Sequence, residues 1–156
     1  MICVAVSWVG ICHAQNSAPY KANYSSKFTI ADESLGTRVL TLWKDYEDNA
    51  LDRHLAWFAD TVSMTMANGQ TVKGIQANLA GVKAYRGSLK NLKVSIDAWV
   101  NLKSDKGDNF VCVWGSEDFT DQDGKHVVNN LQEVWGFNKD GKISMMLQYN
   151  RPGGTM

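Results

Sequence analysis

Glu133 is the first candidate for a residue with a chemical role. It lies among Leu131, Val134 and Trp135 in the run HVVNNLQEVWGF, whose alternating and largely apolar character predicts a β-strand. A carboxyl group in apolar surroundings is costly to ionise, so its pKa rises toward neutrality. Glu133 is therefore a candidate acid–base group.

His54 is the second candidate, because imidazole titrates close to neutral pH. It shares a predicted helical face with Leu51, Leu55 and Phe58, so its side chain is expected on the core side of the fold. Two interpretations remain open. The sequence favours a buried histidine held by a local hydrogen bond, and the alternative is a catalytic base.

Patterns for a metal or a cofactor are absent from the sequence. His54 and His126 have no further ligand type at the i+3 or i+4 position, and Asp121 and Asp123 lie in a turn that lacks the closing glutamate of a calcium loop. The chain has no glycine-rich phosphate loop and no Gly-x-Ser-x-Gly elbow. We predict no metal and no cofactor.

The composition is that of one soluble domain. The chain has 156 residues with 16 basic and 16 acidic side chains, so its formal net charge is zero. Nucleic-acid binding is not expected, because it requires clustered lysine and arginine. No apolar run reaches the length of about 20 residues that spans a bilayer, so no membrane span is expected either.

Residues 1–14 carry no charge and resemble the apolar core of a secretory signal with cleavage after Ala14. We therefore predict a secreted or periplasmic protein. The alternatives are a lipid anchor at Cys12, a buried N-terminal strand, and a cytoplasmic location if no signal is cleaved. Residues 15–33 lack periodicity and predict an N-terminal arm or linker, and Cys112 remains as a buried thiol.

Three helices are predicted in the first half of the chain. Apolar residues at positions 35, 39, 42, 43 and 46 mark one helical face, with Asp32 or Ser34 as the N-cap. A shorter stripe over 51–58 predicts a second helix, and the third follows Gly74 and ends near Gly87. An alternating segment from Val62 to Met66 and a brief return strand at 71–72 lie between the last two helices.

The second half of the chain predicts four long strands, over 92–102, 110–119, 127–137 and 143–150. Turns rich in Asp and Gly separate them, and Gly141 supplies the positive φ that the last hairpin needs. We therefore predict an α+β fold in which a curved antiparallel sheet wraps over three N-terminal helices and leaves a tapered cavity.

Several short motifs together resemble the NTF2-like superfamily, and its SnoaL-like branch in particular. They are Phe58-Ala59-Asp60, Val72-Lys73-Gly74-Ile75, Gly107-Asp108 and the segment FNKDGKI near the end. The resemblance covers residues 34–151 and leaves 152–156 as a tail. It implies a cone-shaped barrel of the cystatin/NTF2-like type, a pocket inside the cone and a homodimer through the outer face of the sheet.

The superfamily includes ketosteroid isomerases, and the resemblance aligns Glu133 with their protonated aspartic acid, a carboxyl kept neutral by an apolar site. The same alignment puts Met66 at the general base and Leu42 at the oxyanion-hole tyrosine. Methionine cannot abstract a proton, so ketosteroid-isomerase chemistry is not expected.

A pocket lining follows from strand alternation and from the resemblance. If Glu133 faces inward, Asn129, Leu131 and Trp135 face inward with it. The resemblance adds residues from the first and last strands: Met64, Met66, Met146, Gln148 and Asn150. The roles of Trp99, Trp114 and Trp135 stay open between ligand stacking and the core or a dimer face.

Two functions are compatible with this lining. The first is a secreted pocket protein that binds a small apolar or carbonyl-bearing molecule without an assignable reaction. The alternative is a lyase, isomerase or cyclase that uses Glu133, with or without His54, as its acid–base group.

Overall fold

The computed structural model describes residues 18–152. The predicted signal at residues 1–14, the alternative anchor at Cys12 and residues 153–156 of the predicted tail lie outside the described part. The elements in chain order are β1 (Phe28–Ile30), α1 (Glu33–Glu47), a 3₁₀ turn (Leu55–Trp57), β2 (Phe58–Thr65), β3 (Thr71–Lys73), α2 (Ile75–Ser88), β4 (Lys90–Ser104), β5 (Asn109–Thr120), β6 (His126–Phe137) and β7 (Ile143–Pro152).

The seven strands form one sheet in the order β1-β4-β5-β6-β7-β2-β3. The sheet is mixed, whereas the sequence predicted an antiparallel sheet: β2 and β7 pair in parallel and the other neighbours are antiparallel. Parallel pairing joins strands that are distant in the sequence, so no hairpin turn in the sequence predicts it.

The sheet packs against two α-helices, not the three that the sequence predicted. The stripe over 51–58 forms only one 3₁₀ turn, and Phe58 already begins β2. A segment this short gains too few hydrogen bonds to offset helix nucleation. Phe58, Val62 and Met64 instead turn buried side chains toward the core from a strand.

Helix α1 begins where the sequence predicts it. The Asp32 carboxylate accepts a hydrogen bond from the backbone N–H of Ser34 at 2.8 Å, which satisfies one free donor of the first turn. Leu35, Val39 and Trp43 form its buried face. The helix thereby carries a large indole toward the centre of the sheet.

The four long strands extend the predicted ranges by at most two residues at either end. Strand β1, by contrast, lies inside the segment predicted as an arm and pairs with the edge of β4. Its three residues are all exposed, so no apolar alternation marks it in the sequence.

The core lies between α1 and the inner face of the sheet. Val39, Val62, Val111, Val113 and Ile143 are fully buried there. Helix α2 contacts β2 and β3, and a cavity lies between this helix, α1 and the sheet. Among residues 18–152, no helix has both the length and the apolar character that crossing a membrane requires.

Candidate functional site

A cavity of about 720 Å³ lies between α1, α2 and the inner face of the sheet. Every residue that the sequence predicted for the pocket borders it: Met64, Met66, Asn129, Leu131, Glu133, Trp135, Met146, Gln148 and Asn150. Leu42 also borders it. Most of the remaining lining is apolar, as is usual for small-molecule sites.

The Glu133 carboxylate is buried in the cavity wall and held by three hydrogen bonds. Glu133 is 5% exposed, and three neutral groups donate hydrogen bonds to its carboxylate. Oε2 accepts from the indole N–H of Trp43 at 2.8 Å and from that of Trp135 at 2.9 Å, while Oε1 accepts from the Gln148 amide at 3.0 Å. The carboxylate is thereby fixed in position.

Three elements bring these donors together. Gln148 stands directly opposite Glu133 in the β6–β7 pairing, and Trp135 follows two residues later on the same face. Trp43 comes from α1, and Gly115 of β5 leaves room for its ring. A Cβ at residue 115 would lie 2.4 Å from the Ser95 carbonyl of β4 and 3.0 Å from the Trp43 ring, so a larger residue would disturb both the β4–β5 pairing and the position of the indole.

The environment of Glu133 changes its acidity. Burial raises its pKa to about 7, and the three donated hydrogen bonds oppose the rise without cancelling it. The nearby charge of Glu117 raises the pKa further. At neutral pH the group is therefore divided between its protonated and ionised forms, which is the range in which a carboxyl group exchanges protons readily.

Glu117 is a second cavity acid, which the sequence reasoning missed. It is 7% exposed and stands opposite Asn129 in the β5–β6 pairing. The signal was present, because Val111, Val113 and Glu117 share one face of β5 by alternation. Burial raises its pKa, and the neighbouring Tyr46, Asn129 and Arg86 side chains oppose the rise.

Tyr46 lies beside Glu117 at the cavity wall. Its buried hydroxyl makes no hydrogen bond of good geometry to any residue of the described range, although it counteracts the pKa rise of Glu117. Burial and the Glu117 charge raise the pKa of Tyr46 above its ordinary value. The hydroxyl therefore remains neutral.

His54 lies outside the cavity lining, so the structure does not bring the two candidate acid–base groups together. Its Nδ1 lies 2.5 Å from Oδ2 of the buried Asp45, and its ring stacks on Trp57 at 4.0 Å between centroids. This arrangement fits the interpretation that the sequence favoured, a histidine held by local contacts.

The three tryptophans that the sequence left open differ in position. Trp135 is buried and borders the cavity, whereas Trp99 and Trp114 are partly exposed and do not border it. The second indole that borders the cavity is that of Trp43. Within residues 18–152, no group of three or more His, Cys, Asp or Glu side chains could hold a metal ion.

Comparison by sequence found no relatives: neither a protein-family model nor a curated protein matches the chain. Comparison by structure found many. An NTF2-like protein of unknown function from Burkholderia pseudomallei K96243 is 17% identical with a TM-score of 0.63, over 75% of this chain and 90% of that one. The epoxide hydrolase/cyclase-like enzyme SalBIII, of pyran ring formation in salinomycin, is 14% identical with a TM-score of 0.62, over 76% and 92%.

A third similar structure contains a small molecule. It is a protein with a ketosteroid isomerase-like fold from Catenulispora acidiphila DSM 44928, in complex with trimethylamine. It is 14% identical to this chain with a TM-score of 0.57, over 76% of this chain and 86% of that one. These likenesses, together with the mixed sheet and its two helices, show that the chain has the fold of the NTF2-like superfamily.

Proposed function

We propose that this protein binds a small, mostly apolar molecule in the cavity beneath α2. The observation that carries the proposal is a largely apolar cavity of about 720 Å³ with one oriented carboxyl group, Glu133, in its wall. Apolar surface supplies affinity in such sites, and a few fixed polar groups orient the ligand. Met64, Met66 and Met146 give the lining a surface that adapts to ligand shape.

The similar structures support a binding role without naming the ligand. The Catenulispora protein holds trimethylamine, and SalBIII is an enzyme of ring formation. The apolar segment at residues 1–14 supports export of the binding protein, which N-terminal sequencing of secreted material tests.

A neutral fluorescent probe, N-phenyl-1-naphthylamine, tests the binding function directly. We expect its emission to rise on binding to the wild-type chain and the signal to be lost in Gly81→Trp, which fills the cavity from α2. Gly87→Trp is the matched control, because it lies in the same helix, also has open space at its Cβ, and does not border the cavity. Equal binding by both variants would place the probe elsewhere and contradict the proposal.

A proton-transfer enzyme is the second candidate function, and the pKa of about 7 at Glu133 favours it. The ionised carboxylate would take a proton from the carbon beside a substrate carbonyl. An isomerase would return that proton at another carbon. In a lyase the resulting enolate would expel a leaving group, and in a cyclase it would attack a second carbonyl of the same molecule, with the proton passing to the leaving group or to the new alkoxide. Turnover of a panel of small carbonyl compounds by wild type and Glu133→Gln tests this role. Turnover that survives the substitution removes Glu133 from the mechanism.

We also propose a homodimer through the outer face of the sheet. Trp114, Gln132 and Tyr149 stand side by side across β5, β6 and β7, and Tyr149 is 57% exposed. Analytical ultracentrifugation should show that Trp114→Glu shifts the protein to monomer, whereas Ile30→Glu, at an exposed position on β1, leaves its mass unchanged. A monomeric wild type contradicts this proposal.

A further inference from the structure

The charged side chains that border the cavity are all acidic. Among residues 18–152 they are Asp45, Glu117 and Glu133, and no lysine, arginine or histidine of that range borders the cavity. Any ionised group of this lining is therefore negative, which favours a positively charged ligand over a negatively charged one.

Two of the three acids have basic neighbours outside the lining. Asp45 contacts His54 and lies 3.6 Å from the Arg53 guanidinium. The Arg86 guanidinium donates to the carbonyl groups of Tyr46, Glu47 and Leu89, and its charge still lowers the pKa of Glu117. These two acids are thus partly compensated by the protein itself.

Glu133 has no such compensation within residues 18–152. Its three hydrogen-bond partners, Trp43, Trp135 and Gln148, are neutral, and the charged group that acts on it is another acid. An ionised carboxylate that is buried without an opposite charge is destabilised, because nothing compensates for its lost hydration. A cation beside Glu133 removes that destabilisation.

Aromatic surface surrounds the same carboxylate. The Trp43 and Trp135 indoles both direct their N–H edge at Oε2, so their rings extend outward from it, and Phe58 packs beside Trp135 at 6.4 Å between centroids. Tyr46 and Tyr85 add two further rings to the lining. Aromatic rings attract cations through their negative faces and are the usual walls of sites for substituted ammonium groups.

We propose that the ligand of this cavity is an organic ammonium ion, with its charge against Glu133 and its carbon substituents on the aromatic rings and methionines. The inference rests on the proposed binding function and narrows it to a substrate class. An inorganic cation suits the site less well, because a lining of Leu, Met and Trp offers too few oxygen ligands to replace a hydration shell.

A pair of isosteric ligands tests the role of charge on the wild-type protein. Phenyltrimethylammonium and tert-butylbenzene have nearly the same shape and differ by one positive charge. Displacement of N-phenyl-1-naphthylamine should give an affinity at least about tenfold higher for the cation at pH 8. The preference should disappear in Glu133→Gln, which can keep its packing because the Gln148 amide can turn its oxygen toward the new side chain.

The outcomes separate the two proposals. Equal affinity for the two isosteres in wild type, or a preference that persists in Glu133→Gln, overturns the ammonium ligand and leaves the binding function intact. Displacement by potassium chloride as effective as displacement by phenyltrimethylammonium at the same concentration also overturns it. Failure of the naphthylamine probe to bind at all overturns the binding function itself.

Discussion

Two buried glutamates in one cavity are held in contrasting ways. Glu133 accepts three hydrogen bonds from neutral donors and has no basic neighbour among the described residues, whereas Glu117 lies beside a tyrosine hydroxyl and within the field of Arg86. Both have raised pKa values because both are buried. The contrast shows that burial sets the acidity, while the type of neighbour decides whether a charge is left for a ligand to neutralise.

The walls around the two acids differ as well. The buried Trp43 closes the Glu133 end from α1, whereas at the α2 side Tyr85, which is 48% exposed, borders the cavity. A closed end fixes the position of a group, and an open end admits a ligand. Four predictions test whether this difference governs stability and binding.

Loss of the closed wall should have the largest effect. Trp43→Ala removes a buried indole and leaves both a void and a weaker hold on Glu133, so the free energy of unfolding should fall by about 3–5 kcal/mol. Tyr85→Ala, the corresponding change at the open end, should cost only about 1 kcal/mol because the ring is half exposed. Urea unfolding measures both. Equal losses would mean that the two ends are packed alike.

The acidity of Glu133 should appear in the pH dependence of stability. The folded pKa of about 7 lies above the unfolded value near 4.5, so the folded state binds more protons between these values and stability is lost as pH rises. Relative to Glu133→Gln, wild type should lose on the order of 3 kcal/mol between pH 4.5 and pH 8.

Denaturant unfolding at these two pH values provides the measurement, with Glu117→Gln as the control that keeps the Glu133 effect. The pKa of Glu117 is also raised, so its own contribution has the same sign. Parallel pH profiles for wild type and Glu133→Gln would show that Glu133 is already ionised at low pH.

The affinity for a permanent cation should also depend on the ionisation of Glu133. Phenyltrimethylammonium does not titrate, so its affinity should rise about tenfold per pH unit below the carboxyl pKa and become constant above it. The other titratable groups that border the cavity are Asp45, Tyr46, Tyr85 and Glu117. Fluorescence titrations should show that Glu117→Gln keeps this dependence of affinity on pH and that Glu133→Gln abolishes it. If Glu117→Gln abolished the dependence instead, Glu117 and not Glu133 would be the group that binds the cation.

Removal of one donor should have the smallest effect. Trp135→Phe keeps the ring and deletes an indole N–H that stabilises the ionised carboxylate, so the pKa of Glu133 should rise by about one unit. Tyr46→Phe, made beside Glu117, should leave the pKa of Glu133 unchanged. Carbon-13 NMR of the glutamate carboxyl groups follows both, and an unchanged pKa in Trp135→Phe would show that this donor contributes little.

Local patterns in the sequence predicted much of the fold. The helical face that includes Val39 and Trp43, the four long strands and the turn before Gly141 all depend on residues close in the chain. The second helix over 51–58 was wrong because a short amphipathic stripe looks the same in a helix and in an irregular turn. The parallel pairing of β2 with β7 could not be found locally either, because it joins residues about eighty positions apart.

By itself, the sequence determined which residues of β6 share a face with Glu133, because side chains alternate along any strand. It also placed Leu and Met, whose side chains exchange no protons, at positions 42 and 66. Only the tertiary structure decided that Trp43 from α1 and Gln148 from β7 donate hydrogen bonds to Glu133. It also decided that His54 contacts Asp45 and does not border the cavity, whereas Glu117 does. These relations depend on the packing of elements distant in the chain, and the pKa of a buried group is set by that packing.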